Sequence, residues 1–156
     1  MTQKDYILRI AEDVGRALAQ IIYHKEIHDY QGALSLIDEL FKQVVGAGSG
    51  FIHAISEETL LAMLTLLGIL NLEKALLIAT LLKAEGDIYE DQGNSDEAYY
   101  SYLKSLNLFL EILLRDDNLH DLRCSAQVED LLGKLEAYDL PLNTRRLLSN
   151  FFRNDH

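Results

Sequence analysis

The stretch from Ala79 to Ile112, ATLLKAEGDIYEDQGNSDEAYYSYLKSLNLFLEI, constrains this chain more than any other. Gly93 can take the left-handed conformation that closes a helix end. Asn94 behind it, with Glu97 three residues on, has the spacing of a capping box that opens the next helix. So short a connection joins two helices only when they are antiparallel neighbours. Gly86 and Ala98 lack bulk, so the facing backbones can approach closely, while Tyr89 and Tyr102 fill the space beside them. The stretch predicts an αα-hairpin, its first helix running from about Leu72 to Gln92 and its second to about Arg115.

This spacing resembles the tetratricopeptide repeat, a helix–turn–helix unit of about 34 residues with the pattern W-x2-L-G-x2-Y, then A-x3-F, then P. Gly86 stands at the glycine, Tyr89 at the tyrosine, Ala98 at the alanine and Tyr102 at the second aromatic. Gly93 falls at the turn, and Ser105 is small where such repeats carry alanine. Leu82 replaces the tryptophan, Glu85 the leucine and Leu110 the closing proline. The resemblance implies an all-α fold of antiparallel helical hairpins stacked as a right-handed array. In order and length the chain is similar to small bacterial proteins of tetratricopeptide-like build, in which an N-terminal helical pair precedes one recognisable repeat.

The flanking sequence reads as further helix. Thr2 and Asp5 form a capping box for a helix over Gln3 to Glu26, whose Ile7, Ile10, Val14, Leu18, Ile21 and Ile22 make one apolar stripe. A second helix starts near Asp29, carries Leu34, Ile37, Leu40, Phe41 and Val44, and breaks at Gly46. With Ala33 at the repeat's alanine, its glycine and tyrosine positions hold Ile21 and His24, so this pair is a degenerate repeat. Gly46 to Gly50 reads as a flexible break, without the lysine a phosphate-binding loop needs. Ser56 caps a helix over Glu57 to Leu67, Gly68 ends it, and Asn71 caps the hairpin's first helix. Beyond a break at Asp116-Asp117-Asn118, a helix over Leu119 to Tyr138 presents Leu122, Val128, Leu131, Leu132 and Leu135. Pro141 interrupts before a last helix from Asn143. The expectation is one all-α domain of about seven helices over residues 1–156. It comprises a hairpin at 1–45, a loop at 46–55, central helices at 56–115 and capping helices at 116–156.

Hydrophobic residues make up 49% of the 156, enough for a sizeable core. A net charge of −11 disfavours a nucleic-acid backbone and an anionic lipid surface as partners. Leu60 to Leu82, the most apolar region, is interrupted by Gly68, Asn71, Glu73 and Lys74 and reads as buried core rather than a membrane span. The single Cys124 cannot form an internal disulfide, and Met1 to Asp13 lacks the apolar centre of a leader; both point to the cytoplasm.

No catalytic, cofactor-binding or metal-ligating set emerges. His24 and His28 lie four apart without a third ligand, and Cys124 has His120 one turn away without an oxyanion hole. The charged feature of note is acidic: Glu85, Asp87, Glu90, Asp91, Asp96 and Glu97 cluster around the central turn. The resemblance places Thr80, Lys83, Asp87, Glu90 and Asp91 on a concave face and implies a non-enzymatic protein-binding scaffold, one that favours a basic peptide. In the first hairpin the equivalent positions include Leu18 and Ile22, which would fill that part of the groove from within. Two readings compete with this one. The acidic face can serve solubility alone, or the chain can be a structural homodimer that uses its apolar helix faces for self-association.

Overall fold

The computed structural model describes residues 3–115 and 122–154. The order is α1 (Gln3–Glu26), α2 (Tyr30–Val45), α3 (Ser49–Ala54), α4 (Glu57–Met63), β1 (Thr65–Leu66), β2 (Ile69–Leu70), α5 (Leu72–Asp91), α6 (Ser95–Arg115), α7 (Leu122–Lys134) and α8 (Leu142–Asn154). The fold is all-α apart from one two-residue-strand hairpin.

Local chemistry sets most of the boundaries. Asp29 caps α2 by accepting from the Gly32 N–H, Ser56 caps α4 by accepting from Thr59, and Asn71 caps α5 by accepting from Lys74. The Glu97 N–H donates to Asn94 Oδ1 at 3.4 Å at the start of α6. Gly46 and Gly93 take φ values of +82° and +77°, the left-handed geometry that closes α2 and the α5–α6 turn. The expected caps at Thr2 and at Asp116 to Asn118 lie outside the described residues, as does His120.

Helices α5 and α6 make the most extensive pair. A Cβ built on Gly86 would lie 2.6 Å from Cδ1 and Cε1 of Tyr102, so the ring occupies the space the glycine leaves. Ser105 Oγ reaches across to donate to the Ala79 carbonyl at 2.7 Å, and Ala98 and Leu82 are buried beside it. Helices α1 and α2 pack together and both pack on α5; α7 and α8 pack on α6. Buried residues from Ile21 to Phe151 form one continuous cluster. The buried Thr144 hydroxyl donates to Asn107 Oδ1 at 2.7 Å and ties α8 to α6.

Four expectations need correction. Residues 46–55 are not a flexible loop throughout, since α3 occupies Ser49–Ala54 and brings the described helices to eight. Tertiary contacts hold this glycine-flanked turn: Asp38 Oδ1 accepts from the Ser49 N–H at 2.8 Å, and Ile52 is fully buried. The helix from Glu57 stops at Met63 rather than Leu67, and Gly68 does not end it. Instead Leu67 and Gly68, at φ +53° and +79°, form the turn of a hairpin that pairs Leu66 with Ile69 and Thr65 with Leu70. The region Leu60 to Leu82 is consequently not all core, because Leu66, Leu67 and Ile69 face solvent. In α1, Leu18 packs on the core but Ile22 is half exposed, so it does not fill a groove.

Candidate functional site

Two polar constellations converge on α5. The first is the row assigned to a concave face. Lys83 Nζ meets Asp130 Oδ2 at 2.7 Å and Gln127 Oε1 at 2.7 Å, both on α7. One turn on, Asp87 Oδ1 accepts from the Tyr102 hydroxyl at 2.6 Å and pairs with Lys134 of α7 at 3.1 Å. Asp91 pairs with Lys25 of α1 at 3.5 Å. Thr80 is part-buried one turn before Lys83, and Glu90 is exposed, its Oε2 accepting from the Tyr102 hydroxyl at 3.4 Å. Helices α1, α5 and α7 are thus stitched by a line of ion pairs, and α7 covers the middle of the row.

The charges respond to this arrangement. Burial works against the charge on Lys134, but Asp87, Glu90 and Asp130 outweigh it and hold its pKa above the ordinary lysine value. Burial, with the bond to Asp87, pushes the Tyr102 phenol far up, and burial beside Glu85 and Glu97 raises Tyr89. The Lys83 hydrogen bond lowers Asp130, and the Ser49 N–H with Lys42 lowers Asp38. A carboxylate depressed in the folded state stabilises above its unfolded pKa, and that contribution is lost as pH falls through the folded value. The stability advantage of the native chain over an Asp38→Asn, Asp130→Asn variant should therefore be constant near neutrality and shrink below about pH 4. Urea unfolding across pH 2 to 7 measures it; parallel curves for the two proteins would contradict the assignment.

The second constellation was not anticipated. Glu85, which stands where the tetratricopeptide pattern has leucine, is 2% exposed and accepts from three side chains. Ser49 Oγ donates to its Oε2 at 2.6 Å, Ser101 Oγ to its Oε1 at 2.8 Å, and His53 Nε2 lies 2.5 Å from Oε1. Beside it, the buried Lys104 donates from α6 to the Ile55 carbonyl at 2.5 Å and to Glu57 Oε1 at 3.2 Å. Together Glu85 and Lys104 pin the segment from Ser49 to Glu57 onto the central hairpin. The His53 ring is spent on Glu85, and Ser49 donates to that carboxylate rather than to the imidazole. The cluster is a clasp between elements. An acid at a position where the repeat buries leucine was the one sequence signal that could have revealed it.

The remaining sequence candidates separate. Helix α1 ends at Glu26, and His28 has a left-handed φ of +59°, so His24 and His28 do not share a helical face. His24 Nδ1 lies 3.1 Å from Asp29 Oδ2, and His28 Nδ1 lies 2.8 Å from the Tyr30 hydroxyl. Among the described residues no group of three or more His, Cys, Asp or Glu could hold a metal ion, and no helix is long and apolar enough to cross a membrane. Comparison with protein-family models, with curated proteins and with solved structures finds no match to this chain.

Proposed function

We propose that the protein is a non-enzymatic helical scaffold of tetratricopeptide-like type whose α5 row binds a basic segment of another protein. The observation that carries this reading is the state of three neighbouring carboxylates. Asp87 and Asp91 each hold a lysine contributed by a flanking helix, while Glu90 between them is exposed and, among the described residues, acts on the Lys134 ammonium only from a distance, without a direct ion pair. A face that gathers ammonium groups from its own chain is chemically suited to accept one more. Complementary charge would steer a basic segment there and turn away acidic ones.

The test uses a fluorescent peptide of about ten residues rich in Lys and Arg, read by anisotropy at low and physiological salt. Reversing Glu90→Lys with Asp91→Lys should weaken capture by at least about tenfold. Reversing Asp96→Lys with Glu97→Lys makes the same change of net charge off the row, at two exposed positions. It should weaken capture far less. Equal losses in both variants would mean that only net charge attracts the peptide, and the row assignment would fall.

A further inference from the structure

The hairpin between α4 and α5 is the one element that neither core packing nor the acidic row explains. From Thr59 to Leu72 the chain has no ionisable side chain, although 25% of its residues are charged. Leu66 and Ile69 are directly paired across the strands and so share a face. They are 76% and 73% exposed, Leu67 at the tip is 92% exposed, and Met63 is about half exposed. The turn has positive φ at both central residues, which favours Asn-Gly or Asp-Gly. A leucine there costs about 1–2 kcal/mol of backbone strain and places an apolar side chain in water. No contact among the described residues offsets either.

We propose that this tip is a self-association surface that packs against the same tip of a second copy. Shape, area and charge agree on that occupant. Met63, Leu66, Leu67, Ile69 and Leu70, together with Lys74 at the start of α5, line an open cup of about 650 Å³, so the protruding leucine stands beside a recess that could receive its counterpart. Such self-complementarity is what a two-fold contact requires. The exposed apolar side chains amount to a patch on the order of 500 Å², at the upper end for a monomer. Two facing patches would bury about 1,000 Å², the lower bound for a specific and weak interface. Copies carrying −11 repel each other, which limits how they can meet. Helix α5 is about 30 Å long, with the tip at its N-terminal end and Glu90, Asp91, Asp96 and Glu97 at the other. A tip-to-tip contact leaves those acidic ends on the far side of each copy, the length of α5 away from the contact. The tip itself offers no carboxylate to a basic partner, which separates this surface from the α5 row.

Analytical ultracentrifugation of the full chain, from micromolar to sub-millimolar concentration, tests the proposal. The native protein should show a reversible dimer that tightens with added salt, because screening relieves the repulsion between copies. A dimer built on row ion pairs would loosen with salt and would overturn the assignment. Leu67→Asn with Ile69→Thr should weaken the dimer at least about tenfold. Asn-Gly is the preferred pair for this turn, so far-UV circular dichroism and the melting temperature should not fall. Leu66→Lys, which opposes like charges across the two-fold, is a second variant that should abolish the dimer. A native protein monomeric throughout, or a dimer indifferent to these substitutions, would overturn the proposal. So would a monomer that floats with phosphatidylcholine vesicles, which would assign the tip to lipid.

Discussion

Glu85→Ala should lower the free energy of unfolding by about 3–5 kcal/mol, the range expected when one member of a buried charged network is removed. The substitution takes away the acceptor for Ser49, Ser101 and His53 at once. It also leaves a void at a position 2% exposed. The Ser101 hydroxyl is buried, so losing its acceptor costs it a desolvation penalty that water cannot easily refund. Glu85→Gln keeps an amide oxygen to accept from part of the set and should lose about 1–2 kcal/mol. Glu85→Leu, the residue the repeat pattern carries, restores volume but no acceptor and should lie nearer alanine than glutamine. Urea denaturation of the three variants gives the ranking. A loss below about 1 kcal/mol for alanine would mean that the segment from Ser49 to Glu57 is held without the carboxylate.

The second large effect is expected at Gly86. Replacing a mid-helix glycine by alanine usually gains about 1 kcal/mol of helix propensity. Here the new methyl would sit 2.6 Å from two carbons of the Tyr102 ring. That ring is 2% exposed, and its hydroxyl is bonded to Asp87, so it cannot swing aside freely. Overpacking of this kind costs about 1–3 kcal/mol, which outweighs the propensity gain. Gly86→Ala should therefore destabilise modestly, and Gly86→Leu by more than about 3 kcal/mol. In a Tyr102→Leu background the Gly86→Ala penalty should largely vanish, a non-additivity read from a double-mutant cycle. Stabilisation by Gly86→Ala in the native background would show that α5 and α6 have room to spare.

What could be read from the sequence is what neighbouring residues decide among themselves. Asp29, Ser56, Asn71, Gly46 and Gly93 act within a few residues of where they stand, so the starts of α2, α4 and α5, the end of α2 and the α5–α6 turn were foreseeable. The facing of Gly86 and Tyr102 follows from helical period plus a short turn. What could not be read depends on distant partners. Helix α3 is a weak six-residue helix held by Asp38 and Glu85, and Glu85 finds Ser49 and His53 more than thirty positions away. Leu67 in a left-handed turn contradicts local preference, so a helical reading through Leu67 was the natural one. Lys25 and Lys134 reach the α5 row from helices on either side of it, which the acid count around the central turn did not reveal.

The placement of Glu85 bears on how the chain can be made. A ribosome delivers Ser49 and His53 before α5 and Ser101 only afterwards, so the carboxylate emerges with its set of donors incomplete. Until α6 follows, Gly86 also presents a bare notch where the Tyr102 ring will later lie. The nascent protein thus passes through a stage in which its central helix is synthesised but the helix that will cover it is not.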